Sequence, residues 1–139
     1  MAQGFNFVYN DYGKDETRLT DKLFTNAEGA FAGQAVKLVS GRWTKASGTD
    51  AIGGFLTANV VAGTDKECEV IMAREGDWFE VPYTGTPAAG FVAGANAVTV
   101  AADGLSLNSA TVAGGAVAVY SINTNKKTAR VKIKQRQFS

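Results

Sequence analysis

From Gly29 onward, turn-forming residues interrupt the chain about every ten positions: Glu28-Gly29, Ser40-Gly41, Ser47-Gly48, Ala62-Gly63-Thr64, Glu75-Gly76-Asp77, Thr84-Gly85, Asp103-Gly104 and Gly114-Gly115. A helix of ordinary length needs roughly 10–12 residues free of such breaks, whereas strands need about 4–8. Short apolar segments between regularly spaced turn residues are the pattern of an all-β sandwich or barrel.

The segments between the turns support that class. Val36 and Leu38 alternate with Lys37 and Val39 in Gln34–Ser40. Arg42–Ala46 follows at once, and Ala51–Val61 is a longer mixed run holding Gly53-Gly54. Cys68, Val70 and Met72 alternate with Glu67, Glu69 and Ile71. Phe79, Val81 and Tyr83 alternate with Trp78, Glu80 and Pro82. Ala97–Ala101 and Leu105–Asn108 flank Asp103-Gly104, a dipeptide that favours hairpin turns. Ala116–Ile122 is apolar at nearly every position, which predicts a central strand covered on both faces. Thr128–Lys134 is the cleanest alternation, with Ala129, Val131 and Ile133 against Arg130, Lys132 and Lys134. The best helical stretch, Asp15 to Phe24, is short and poor in apolar positions.

The expected fold is therefore all-β: a β-sandwich of jelly-roll type, with a small β-barrel as the alternative. At 139 residues, roughly two thirds of the unfolded chain's surface is buried on folding, enough for a core without metals or disulfides. Residues 31–139 are expected to form one β domain. Residues 1–30 read differently. They carry Phe5, Phe7, Tyr9, Tyr12 and Phe24 among Asn, Asp and Gly, with no clear strand period. They are expected either to pack on their own domain as a strand and loop, or to extend as an arm whose aromatics anchor on a neighbouring chain. In the second case, deleting residues 2–14 would leave the domain folded.

Catalysis finds little to work with. The sequence has no histidine, which removes Ser-His-Asp and Cys-His nucleophile arrangements and most zinc sites. The single cysteine, Cys68, excludes an internal disulfide. Its neighbours Glu67 and Glu69 disfavour a thiolate, and a small buried strand residue is expected there. Glu67/Glu69 and Asp77/Glu80 are carboxylate pairs of the kind glycoside hydrolysis uses, but the first pair shares a solvent-facing strand side. Asp11-Tyr12-Gly13-Lys14-Asp15-Glu16 lacks the alternating ligands of a calcium loop. Ala113-Gly114-Gly115-Ala116 lacks the Lys-Ser/Thr and the following helix of a phosphate loop. No enzymatic activity, cofactor or metal is expected. Trp43, Trp78 and Tyr83 are candidates for a sugar- or base-stacking platform. Trp78 also suits a protein interface, where tryptophan is enriched.

Charge is unevenly placed. The net charge is +1, yet the 6 bases Lys126, Lys127, Arg130, Lys132, Lys134 and Arg136 follow the last acid, Asp103. Protection of an edge strand is one account of them. Docking on an acidic partner surface is another. Nucleic acid is a third, weakened by the near-neutral chain and the lack of interleaved aromatics. The N-terminus has no basic segment leading into an apolar one, so no signal peptide is expected. No run reaches the roughly 18 apolar residues of a membrane span. Synthesis in a cytoplasm is the expectation.

Taken in order, several segments form a recognisable series. Gly33-Gln34-Ala35-Val36 opens a strand, and Lys45-Ala46 leads to Asp50-Ala51-Ile52-Gly53-Gly54-Phe55. Glu69-Val70-Ile71-Met72 follows with Gly76 and Val81, then Gly94-Ala95 before Val98. Asp103-Gly104 precedes Gly114-Gly115-Ala116, and Ala129-Arg130-Val131-Lys132-Ile133 closes the series. Over residues 30–134 this resembles the small decoration (cement) proteins encoded beside the major capsid protein in tailed phages. The resemblance implies a β-sandwich, jelly-roll or barrel domain. It implies a homodimer or homotrimer on the outer surface of the virion, bridging subunits of the major capsid protein, with neither nucleic acid nor membrane as partner. The aromatic segment (Phe5, Phe7, Tyr9, Tyr12), Trp78 and the basic terminus are the expected interface residues. A carbohydrate- or receptor-binding sandwich on a virion appendage is the alternative.

Overall fold

The computed structural model describes residues 4–139; the first three residues of the expected arm lie outside them. The described residues are all-β and hold no helix. None is therefore long and apolar enough to cross a membrane. The strands are β1 (Asn6–Asn10), β2 (Arg18–Leu19), β3 (Ala35–Val39), β4 (Arg42–Lys45), β5 (Gly54–Leu56), β6 (Val70–Met72), β7 (Asp77–Thr84), β8 (Thr99–Val100), β9 (Leu107–Asn108), β10 (Val117–Asn123) and β11 (Thr128–Ile133).

They make two sheets. One runs β10-β11-β7-β9-β8, with β1 also paired to β7; the other runs β2-β6-β5-β3-β4. β7 is long enough to serve two partners on one side. β1 takes its first half, with Asn6 opposite Glu80 and Asn10 opposite Asp77. β9 takes its end, with Tyr83 opposite Leu107. β11 lines the whole other side, from Lys132 opposite Trp78 to Thr128 opposite Pro82. The first sheet curls, because Val98, just before β8, bridges to Val117 of β10 and so brings its two ends together. Gly115 permits this approach. A Cβ there would collide with the Val98 carbonyl and the Thr99 nitrogen.

The alternation read from the sequence sets which face is buried. In β11, Ala129, Val131 and Ile133 are buried while Thr128, Arg130 and Lys132 are half-exposed. In β7, Phe79 and Val81 point inward, against Trp78, Glu80 and Pro82 outward. Between the sheets, Phe55 of the second lies 4.5 Å from Phe79 of the first, ring centre to ring centre. The second sheet is apolar on both faces. Phe55 and Ala35 join the core between the sheets, while Val36, Leu56 and Val70 form a second cluster with Phe24, Trp43, Ala30 and Val60.

Several expectations are corrected. Of the two readings of residues 1–30, the packed strand and loop holds for residues 4–30 and the extended arm does not, so the domain begins before residue 31. Phe5 is buried and stacks on Phe55 at 4.5 Å, β1 is a strand of the first sheet, and Phe24 and Ala30 cover the outer face of the second. A chain this short gains more from burying those aromatics in its own core than from leaving them in water. Ala116–Ile122 is not covered on both faces throughout, since Tyr120 and Ser121 are exposed. Its first half, Val117 and Val119, bonds β11 on one side and residues 94–98 on the other, and β11 lies between β10 and β7. Outward lysines on β11 therefore do not guard an edge. Asp103-Gly104 does lie in a β8–β9 hairpin, but in a wider loop in which Ala101 N–H bonds the Ser106 carbonyl at 2.8 Å.

Candidate functional site

The outer face of the first sheet carries the sequence's aromatic and basic candidates together. A β-bulge creates the arrangement. Phe7 opposes Phe79 and Tyr9 opposes Trp78, so Val8 is the extra residue. Strict alternation would place Phe7 and Tyr9 on one face; the bulge re-aims one of them. Phe7 meets Phe79 edge-on in the core at 5.9 Å, and Tyr9 stacks on Trp78 outside at 5.5 Å. A second bulge does the same in β10. Val119 opposes Val131 and Ser121 opposes Arg130, leaving Tyr120 as the extra residue. Its ring stands edge-on to Trp78 at 5.1 Å.

Trp78 is thus the hub. Tyr9 on β1 and Lys132 on β11 approach it from opposite sides of β7, and Lys132 Nζ lies 4.9 Å from the ring centre. Asp11 ties the group. Its Oδ1 accepts the Trp78 indole N–H at 2.6 Å and its Oδ2 accepts Lys132 Nζ at 2.7 Å. Donation by Lys132 first, and by Trp78 second, holds the Asp11 carboxyl below its ordinary pKa. The outermost rings are Tyr9 (44% exposed), Tyr120 (65%) and Tyr12 (76%).

A buried polar anchor underlies Asp11. Asp77 is fully buried and accepts from Asn10 Nδ2 at 2.8 Å and from Arg74 Nε and a second guanidinium nitrogen, each at 2.9 Å. Arg74 also reaches Thr17 Oγ1 and the Asp15 carbonyl. Asn10 then shapes the next turn: its Oδ1 accepts Tyr12 N–H, and its carbonyl accepts Gly13 N–H at 3.0 Å. Gly13 takes a φ of +73°, which its missing Cβ permits. Charge pairing inside the fold therefore fixes where Asp11 and Tyr12 stand outside it.

The structure brings Tyr9, Tyr12, Trp78 and Lys132 to this site, with Arg130 on the same side of β11 and Lys134 just past its end. Lys126 and Lys127 lie exposed in the β10–β11 turn. Phe5 and Phe7 do not belong to it, since one is buried and the other packs on the core. Arg136 turns back on its own segment, donating to the Ile133 carbonyl and Ser139 Oγ. Trp43 is buried in the second cluster, and Tyr83 packs on Phe91 at 4.9 Å, so no platform of Trp43, Trp78 and Tyr83 forms. Tyr120 and Asp11 were not among the expected interface residues. The apolar run hid Tyr120, and no local pattern ties Asp11 to residues 78 and 132.

Other chemistry is sparse. A cleft of about 440 Å³ opens beside Phe5, Phe7, Leu56 and Ile71, rimmed by Glu16 and Arg18. Arg18 is occupied by Glu16 and Glu69 at 3.1 and 3.0 Å. Cys68 precedes β6 and is half-buried, where a small buried strand residue was expected; burial pushes its thiol pKa up. Among the described residues, no three Cys, Asp or Glu side chains cluster to hold a metal ion. No protein-family model matches the chain, and no curated protein matches it.

Proposed function

We propose that the chain is a non-enzymatic capsid decoration protein. It binds the outer surface of an assembled phage shell and stabilises it by bridging subunits of the major capsid protein. The observation that carries this reading is the exposed aromatic group around Trp78, flanked by the cations of β11. Exposed tyrosine and tryptophan rings are the kind of side chain that anchors protein interfaces, and charges beside them set register and partner choice. The order of segments that resembles cement proteins adds to it. Many modest contacts, repeated as copies of the chain associate in twos or threes over a shell, resist expansion through avidity. The protein then belongs to the virion exterior and is made in the host cytoplasm.

The test is occupancy. Shells of the parent particle stripped of this protein should take it back at saturating, symmetric positions and then withstand higher temperature. Trp78→Ala with Tyr120→Ala should refold and fail to load. Full loading of that variant overturns the reading.

Exposure of the Tyr120 ring favours a second reading, a carbohydrate- or receptor-binding module. Sugars stack on open aromatic faces, and Trp78 has its sides taken by Tyr9 and Lys132. Tyr120 and Tyr12 are the rings left to serve it. Glycan-array binding that disappears in Tyr120→Ala would establish this reading in place of the first.

A further inference from the structure

We infer, resting on that shell-docking reading, that the partner surface is an acidic protein surface, read by Lys126, Lys127, Arg130 and Lys134 and not by Lys132. The 6 C-terminal bases look alike in sequence, and the structure separates them into three groups. Lys132 is neutralised by Asp11 at 2.7 Å and held against Trp78. Arg136 spends its guanidinium on the Ile133 carbonyl and Ser139. The other four have no carboxylate within ion-pair distance among the described residues.

Their placement favours one kind of partner. Arg130 lies on the outer side of β11 and Lys134 just past its end, at most about 14 Å apart at the rise of an extended strand. Lys126 and Lys127 lie exposed in the turn just before β11. Glu80 lies opposite Arg130, and Glu75 shares a hollow with Lys134, yet neither pairs with these cations. A matching surface of discrete Asp and Glu side chains would complete them.

A nucleic acid fits less well. A continuous phosphate track would meet Glu80 opposite Arg130, unpaired among the described residues, which repels it, whereas discrete acidic side chains can be spaced to avoid it. Trp78 offers a base no open side. Lys132 has a different role, as a strut that positions the indole.

The intact protein, isotope-labelled, is titrated with poly-L-glutamate and with single-stranded oligothymidylate of equal charge, followed by NMR. Poly-L-glutamate should shift the amides around Lys126, Lys127, Arg130 and Lys134. Its affinity should fall about tenfold or more in Lys126→Glu/Arg130→Glu/Lys134→Glu, as reversed interface charges repel their partner. Lys132→Gln should keep wild-type affinity within about twofold while moving the Trp78 indole resonance. Tighter binding of oligothymidylate, or equal affinity in the reversed variant, overturns the inference. The same variants are then loaded on stripped shells. Normal loading of the charge-reversed variant, with loading lost in Trp78→Ala/Tyr120→Ala, overturns the acidic partner alone. No loading of the wild-type protein overturns the shell reading, while the poly-L-glutamate result still decides the charge preference.

Discussion

Asp11 accepts the indole N–H of Trp78 at 2.6 Å, across 67 residues of sequence. The contact links a surface turn to the central strand of the first sheet. The same carboxylate holds Lys132 with its other oxygen, so one residue fixes three strands' worth of side chains.

That link is sensitive to acid. The Asp11 carboxyl in the folded state is held below the ordinary aspartate pKa because Lys132 and then Trp78 donate to it. A lowered folded pKa adds stability above the unfolded value, and this is lost as pH falls through the folded one. An NMR titration should find the Asp11 midpoint below that of an ordinary aspartate, with the Trp78 indole proton moving on the same curve. Lys132→Met should shift that midpoint upward. An indole resonance indifferent to acid contradicts the geometry.

Phe5 belongs to the core, so the N-terminal segment is not dispensable. Phe5→Ala should cost about 3–5 kcal/mol, the usual loss for a buried phenylalanine. Chemical denaturation should register it as a lower midpoint with an unchanged slope. Deleting residues 2–14 removes Phe5 and β1 together and should leave no cooperative transition at ordinary temperature. A sharp, wild-type-like transition in the truncated chain would show that β1 does not pack as described.

Asp77 is buried with Arg74 as its charge partner. Arg74→Met should destabilise by about 3 kcal/mol, because it strands a buried carboxylate. Asp77→Asn in that background should recover part of the loss by removing the charge. A double-mutant cycle should return a coupling of about 1 kcal/mol or more. Additive losses would mean that the two side chains do not act as a pair.

Gly115 lies against the Val98 backbone. Gly115→Ala should force the curled sheet open there and cost about 1–3 kcal/mol, the range for overpacking. Amide exchange should quicken at Val98 and Val117, whose backbones bond each other at 3.0 and 3.2 Å. Unchanged protection at those two amides would show that the sheet does not depend on this approach.

Much of the candidate site was legible, because Trp78, Tyr9, Tyr12 and the β11 cations were all recognisable as unusual for a solvated surface. What local sequence could not show was their company. Phe7 and Tyr9 look equivalent at a spacing of two, and only an extra residue opposite β7 sends them to different sides of the sheet. Tyr120 sits in an apolar run and is itself the extra residue that breaks its alternation.

The sequence by itself determined the class of this protein. Alternation with period two, interrupted by glycine turns, leaves strands as the available element, and β7 and β11 follow that pattern closely. It also determined that Ala129, Val131 and Ile133 would share a buried face, since side-chain direction in a strand is a local property. The tertiary structure alone decided that β11 lies between β10 and β7 and that β10 closes back on Val98. It alone placed residues 4–30 within the domain and gathered Asp11, Trp78, Tyr120 and Lys132. Strand order and bulges depend on which distant backbone groups pair, and that choice is made by burial of the whole core.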